Sequence, residues 1–272
     1  MKTYYFIFSK NNILLEHLPN DTFTIPCTDK VPIHIHPWTH VLDITPMDDG
    51  IPVKTLRIDD PQSISPTDSQ LKSNGWSFMS LRESFFHLSE PLYLKGGKCE
   101  ELLYWDQNTQ FCGVCGSPMK MSTDISKRCT QCGKEVWPQL ATAIIVLIRR
   151  GDEALLVHAR NFASDFYGLV AGFVETGETL EEAVRREVME ETGLTIKNLK
   201  YFGSQPWPYP CGLMVGFTAD YESGDIHLQK SELSKGKWFR YDQLPHIPPK
   251  LSIARHIIDA WLKGYGIVST QE

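Results

Sequence analysis

The segment Gly172 to Leu194, GFVETGETLEEAVRREVMEETGL, constrains local structure more tightly than any other part of the chain. Thr179 followed three residues later by Glu182 makes a capping box, in which each side chain takes the other residue's backbone N–H. A helix is therefore expected from Leu180 to about Thr192, with Gly193 just past its end to close the last turn. At about 100° per residue, Ala183 and Val184 fall within about 60° of Leu180, Glu187 and Glu191 within about 20°, and Glu190 at about 80°. One stripe thus starts apolar and turns acidic. Clustered carboxylates on an inward face repel one another and lose hydration, which raises their pKa values. A divalent cation resolves the conflict, and oxygen ligands at i, i+3 and i+4 suit a hard ion such as Mg2+ or Mn2+. A bare acidic helix is ordinarily a solvated face; here the acids share the apolar stripe, which favours the metal.

A second constraint lies upstream, where Cys112-Gly-Val-Cys115-Gly and Cys129-Thr-Gln-Cys132-Gly form two C-x2-C pairs with thirteen residues between them. Two residues between thiolates let one tight turn aim both sulfurs at a single ion, and glycine after each pair accepts unusual backbone angles. The expectation is one structural Zn2+ per chain, closed by four sulfurs, with the chemistry elsewhere because no ligand position stays open. The alternative, a pair of redox dithiols, lacks thioredoxin-like βαβ surroundings. Lys120, Lys127, Arg128 and Lys134 make this module modestly basic and read as solvated surface.

With 27 Lys and Arg against 33 Asp and Glu, the 272-residue chain carries a formal charge of −6. That balance argues against a whole-protein footprint for nucleic acid and fits a protein that gathers divalent cations. At 42% hydrophobic and 22% charged residues the composition is globular, with length for roughly two domains. Seven cysteines are too few for a disulfide scaffold, and the start MKTYYFIFSKNN lacks a long apolar region and cleavage site, so it reads as a folded first strand. No apolar run approaches the ~20 residues of a membrane span. A reducing cytoplasm is the expected compartment, where cysteines bind metal more often than they form disulfides.

Short β-type runs at Thr3 to Ser9, Ile13 to His17, His40 to Thr45, Val53 to Ile58 and Trp76 to Leu81 alternate with turn-rich stretches such as Pro46 to Gly50 and Asp60 to Ser63. They predict a β-rich N-terminal domain. Its His34, His36 and His40 have no Cys or paired carboxylate beside them and are read as strand and turn without metal. A helix is expected within Leu92 to Asn108, a buried strand at Ala143 to Ile148 with a hairpin partner at Ala154 to Ala159, and a C-terminal helix carrying Ile253, Ile257, Ile258, Trp261 and Leu262 on one face, ended by Gly264. The division is 1–108, a β-rich domain; 109–138, a zinc ribbon; and 139–272, a catalytic domain.

The spacing G-x5-E-x7-R-E-U-x-E-E-x-G-U, filled by Gly172, Glu178, Arg186, Glu187, Val188, Glu190, Glu191, Gly193 and Leu194, resembles the signature box of the Nudix hydrolases. The resemblance implies an α+β chain whose C-terminal domain is an α/β/α sandwich with a mixed sheet. It also implies metal-dependent hydrolysis of a nucleoside diphosphate linked to a second group. Glu187, Glu190 and Glu191 would be the metal ligands and Arg186 their organiser. Hydrolysis of an anionic diphosphate needs cations that neutralise the phosphates and acidify a bound water. Glu191, Glu190 or Glu178 can take that proton, and the residues alone leave the three open.

Downstream, Ser204-Gln-Pro-Trp-Pro-Tyr-Pro210 predicts a stiff extended loop holding Trp207 and Tyr209 as stacking faces. SQPWPYP, together with the preceding zinc module, resembles the NADH pyrophosphatase subfamily. This implies cleavage of NADH or NAD+ to nicotinamide mononucleotide and AMP, removal of an NAD cap from RNA 5′ ends as an alternative main activity, and a homodimer. Gln205, Phe173 and Trp137 join Trp207 and Tyr209 as substrate-binding candidates, and Glu232 matches a further metal-binding glutamate. Two departures stand out: Gly212 where the signature carries serine, and Gln139 where arginine is common. Competing readings are a diphosphatase of ADP-ribose or a similar compound, and a nucleotide-sensing module without turnover. Sensing without turnover is disfavoured because every box carboxylate is present.

Overall fold

The computed structural model describes residues 2–19, 22–58, 75–161 and 165–268. The chain forms two compact units, Met1–Gln139 with Pro208–Cys211, and Leu140–Trp207 with Gly212–Glu272.

The first unit opens with strands β1 (Thr3–Ser9), β2 (Asn12–Leu18), β3 (Thr22–Thr24), β4 (Cys27–Thr28), β5 (Val41–Ile44), β6 (Val53–Arg57) and β7 (Trp76–Ser80). They make one sheet along β3-β2-β1-β6-β5, with β4 added to β1 and β7 to β2. The chain start is indeed a core strand: Phe6, Ile7 and Phe8 are fully buried. Among the described strands of this sheet, β1 and β6 are the one parallel pair. Helix α1 (Glu90–Asn108) begins after Ser89 with proline in its first turn and buries Tyr93, Cys99, Leu102, Leu103 and Trp105. Its backbone comes close to the sheet at Gly96, where an added Cβ would already touch Ile13 and Leu81. The expected turn at Asp60 to Ser63 lies outside the described residues.

The histidine segment differs from expectation, because no strand forms between His34 and His40; β5 starts at Val41. The three rings also do not share one set of partners: those of His34 and His36 meet edge to face at 6.5 Å. His36 stacks on Trp38 at 4.3 Å, and His40 Nδ1 lies 2.9 Å from Asp106 Oδ2.

On α1, Glu101 Oε1 is buried with no hydrogen-bond partner among the described residues, and desolvation raises its pKa to about 7. A carboxyl whose folded pKa exceeds its unfolded value costs stability as pH rises through that window. Glu101→Gln is therefore expected to raise Tm by a few degrees, roughly, at pH 8 and to leave it unchanged at pH 4, as read by thermal melts at both pH values.

The zinc module completes the unit with β8 (Met119–Thr123), β9 (Ser126–Cys129) and β10 (Glu135–Val136). Sγ of Cys112 lies 3.6 Å from that of Cys132, and Cys115 Sγ lies 3.4 Å from Cys129 Sγ. All four sulfurs fall within 4.8 Å of one another, close to the ~3.8 Å edge of a tetrahedron with ~2.3 Å Zn–S bonds. The expected glycines do their work: Gly116 and Gly133 take φ of 73° and 75°, a left-handed conformation open to them at little cost. The turns aim backbone N–H groups at sulfur, Val114 at Cys112 and Gln131 at Cys129, each at 3.4 Å. Such donors favour thiolate, and the Cys115 thiol is pulled down to about 6 chiefly by the backbone N–H of Ser117. The four sulfurs fit a structural zinc.

Lys127 corrects the reading of a solvated basic surface. It is 2% exposed, with Nζ 2.6 Å from Asp106 Oδ1 and donating to the carbonyls of Asp106 at 2.8 Å and Thr109 at 3.2 Å. A buried ammonium is tolerated only with such compensation, so this contact ties the module to the end of α1.

In the second unit the strands are β11 (Ala141–Arg150), β12 (Glu153–Ala159), β13 (Val170–Phe173), β14 (Thr195–Trp207), β15 (Gly212–Ser223) and β16 (Leu233–Arg240). The sheet runs β14-β15-β11-β12-β16, with β13 also on β11. It is mixed, because β11 and β15 are parallel while the other pairs are antiparallel. Alternation along β11 sends Ile144, Val146 and Ile148 to one core and Ile145 and Leu147 to the other. The first core is covered by helix α2 (Leu180–Thr192) through Ala183, Val184 and Val188, all fully buried. Burying such a valine side chain is worth about 1.5–3 kcal/mol. The second is covered by α3 (Ile253–Lys263) through Ile257, Ile258, Trp261 and Leu262. This is the expected α/β/α sandwich. Among the described residues no helix is long and apolar enough to cross a membrane.

Candidate active site

Helix α2 begins as its residues dictate. Thr179 Oγ1 accepts the Glu182 N–H at 3.2 Å, and the Glu182 carboxylate accepts the Thr179 N–H at 2.8 Å. The helix ends at Gly193, with φ of 72°. Its last carbonyls are taken by a following segment: Glu191 O accepts from Gln229 N at 2.9 Å and Thr192 O from His227 N at 2.8 Å. These bonds carry Glu232, in the next turn, to the acidic end of the helix, where its charge acts on both Glu187 and Glu191.

Arg186 organises the carboxylates. Its Nε and Nη2 grip Glu178 at 2.6 and 2.9 Å, Nη1 donates to Glu187 at 2.9 Å and Glu190 at 3.1 Å, and Nη2 also reaches the Phe173 carbonyl at 3.0 Å. Such bidentate geometry belongs to arginine and is not reproduced by lysine. Glu178 additionally accepts the Glu175 N–H at 3.0 Å. Arg186 and then this N–H hold its carboxyl down at about 2.

The other carboxylates behave in the opposite way. Burial raises the pKa of Glu187, with Arg186 opposing. Glu191, 4% exposed, is pushed up to about 8 by burial first and then by Glu187 and Glu232. Its buried Oε2 has no hydrogen-bond partner among the described residues. An orphaned carboxylate oxygen facing further carboxylates fits a divalent cation and is otherwise costly.

Gly172 explains its own place in the pattern. A Cβ there would overlap the Glu187 carboxylate, so only glycine on β13 lets that group lie against the strand. Gly172→Ala is expected to displace Glu187 and lower Mn2+ affinity by roughly tenfold or more, as read by calorimetric titration.

The aromatic candidates separate. Phe173 follows Gly172 on β13 and so faces the opposite side of the sheet; it pairs with Ala143 and is 66% exposed. The register carries that row across Ala143 and Met214 to Gln205, and the row beside it runs Ala141, Gly212, Trp207. Phe173 and Trp207 therefore stand on one face, about three strand spacings of ~4.8 Å apart. The stiff-loop expectation is corrected, because Ser204–Trp207 ends strand β14 and only Pro208 to Cys211 turns. β14 is an edge strand, where Pro206 costs no ladder hydrogen bond. Gln205 uses both ends of its amide at the start of α3: Nε2 donates to Leu251 O at 2.8 Å and Oε1 accepts Ile253 N–H at 2.7 Å. Tyr209 belongs to the first unit, its hydroxyl 3.0 Å from that of Tyr93 and its ring under Arg82. Trp137, also of the first unit, is 50% exposed.

Known proteins share this layout. Residues 138–261 match the family model described as NUDIX domain, 107–136 the NADH pyrophosphatase zinc ribbon domain, and 2–105 the NADH pyrophosphatase-like rudimentary NUDIX domain. The NAD-capped RNA hydrolase NudC of Haemophilus influenzae (strain PittGG) is 48% identical over 190 residues, 68% of this chain and 69% of that protein. Its counterpart in Pseudomonas aeruginosa (strain LESB58) is 39% identical over 214 residues, 78% and 74% of the two chains. A crystal structure of a NUDIX hydrolase from Nitrosomonas europaea shares the fold at a TM-score of 0.50 and 17% identity, covering 60% of this chain and 96% of that one. The fold and the box define a Nudix hydrolase, a diphosphatase. The chain belongs to that family, in the group marked by the NADH pyrophosphatase zinc ribbon and rudimentary NUDIX domains.

Proposed function

We propose that this chain hydrolyses the diphosphate bond of NADH and NAD+, releasing nicotinamide mononucleotide and AMP, and acts on the same bond in NAD-capped RNA. The observation that carries the reading is the convergence of Glu187, Glu190, Glu191 and Glu232 at one end of α2, with Arg186 locked among the box carboxylates. Those four would hold Mg2+ or Mn2+, which when bound supplies charge neutralisation for the phosphates and an acidified water.

The remaining roles fall to the side chains. Glu178 is the least suited of the three candidate bases, because Arg186 and the Glu175 N–H already occupy both of its oxygens. It fixes Arg186 instead, which orients Glu187 and Glu190. Glu190 and Glu191 remain to take the water's proton. The diphosphate would lie by β13, with the carboxylates on one side of that strand and the face bearing Phe173 and Trp207 on the other for the substrate's rings.

RNA as substrate is supported by the activity for which the relatives are named. The homodimer is supported by exposed apolar side chains on the first unit, among them Trp38, Phe86, Leu94 and Phe111. A reducing cytoplasm suits seven cysteines without a disulfide. Purified, zinc-loaded protein with Mn2+ is to be offered NADH, ADP-ribose and NAD-capped RNA. AMP from NADH is expected; ADP-ribose as the far better substrate would refute the assignment to dinucleotides.

A further inference from the structure

We propose that Gly212 is a positioning residue that sets how closely Trp207 lies against the sheet, and with it how well a planar heteroaromatic ring of the substrate stacks there. The inference rests on the function proposed above. Trp207 and Gly212 are the last cross-strand pair of β14 and β15, with Ala141 of β11 next in the row. A Cβ on Gly212 would lie 3.0 Å from the Trp207 carbonyl oxygen, 3.3 Å from the Trp207 Cβ and 3.7 Å from the Ala141 carbonyl oxygen.

The glycine is not required by its backbone, since Gly212 does not take a positive φ. Space is the reason. The nearest neighbour is a main-chain oxygen in the ladder, which cannot rotate away as a side-chain tip does, so a side chain at 212 moves residue 207 by a few tenths of an ångström. Where the related signature carries serine, this chain leaves the row of Trp207, Gly212 and Ala141 without that obstruction. Trp207 thus takes its depth from Gly212, while Gln205, two residues earlier on the same face, anchors the strand to α3.

The test is a double-mutant cycle on the full-length, zinc-loaded enzyme with NADH and Mn2+. Gly212→Ala is expected to raise KM about threefold to tenfold, the scale on which an impaired base-stacking contact registers, with kcat within about twofold. Trp207→Ala should raise KM at least as much, and the double variant should be no worse than Trp207→Ala alone, because the only path from 212 to the substrate has been removed. Multiplying effects, or an unchanged KM in folded Gly212→Ala, would overturn the proposal. If Gly212→Ala does not fold, Gly212→Ser, the residue of the related signature, carries the same expectation and the same refutation. An ADP-ribose arm identifies the ring: an increase with NADH alone assigns nicotinamide, and an increase with both assigns adenine. Wild type that cleaves no NADH refutes the proposed function; active wild type with unaltered variants refutes only this inference.

Discussion

Replacing Glu191 with glutamine is expected to lower kcat for NADH by about 10²–10⁴, the span over which loss of a positioned proton acceptor or charged ligand registers. Glutamine keeps the shape and one oxygen while removing the charge that opposes a cation. Glu191 is the most buried of the converging acids, and its Oε2 has no partner among the described residues. It is therefore the residue whose ionised form most depends on metal. The variant should fold and melt no lower than wild type without added divalent ions, since glutamine resembles the neutral carboxyl that burial, Glu187 and Glu232 favour. Mn2+ is expected to raise the melting temperature of wild type, and the variant should lose most of that rise. A folded variant with undiminished turnover would remove Glu191 from the chemistry.

Cys129→Ser is the second large effect. A structural zinc contributes about 10–16 kcal/mol of apparent binding free energy at neutral pH, and in a module this small that energy is folding energy. Met119, Cys112 and Cys129, with Val136 against them, are the apolar cluster there, too little to hold three short strands without metal. The variant should retain well under one zinc per chain by metal analysis. It should also expose β8 to β10 to amide exchange and release the Lys127 contact with Asp106, lowering Tm by roughly ten degrees or more. Full zinc content in Cys129→Ser would contradict the four-sulfur site.

Features set by short-range chemistry are legible in the sequence itself. The capping box of α2, the glycines after each cysteine pair, the strand Thr3–Ser9 and the apolar face of α3 appear where spacing places them, because each depends on neighbours within a few residues. Features that depend on distant partners are not. Lys127 looks like surface in a basic stretch, and only the approach of Asp106 from α1 makes its burial tolerable. Prolines at 206, 208 and 210 signal a loop, yet an edge position lets the first remain in a strand. Gln205 gives no sign in the sequence that its amide bonds Leu251 and Ile253 at the start of α3. The rudimentary NUDIX character of residues 2–105 is also hidden, since that region has no carboxylate box to announce it. The proposed acidic site lies between: the shared face of Glu187, Glu190 and Glu191 follows from helix geometry, whereas Glu232 arrives through bonds between its own segment and the end of α2.

The most direct test is the identity of the bond cut in NADH. Mass spectrometry of products from wild-type protein with Mn2+ should find reduced nicotinamide mononucleotide and AMP in equal amounts, the signature of attack on the diphosphate. Free nicotinamide with an intact ADP-ribose product, or no cleavage by folded and zinc-loaded protein, would contradict it.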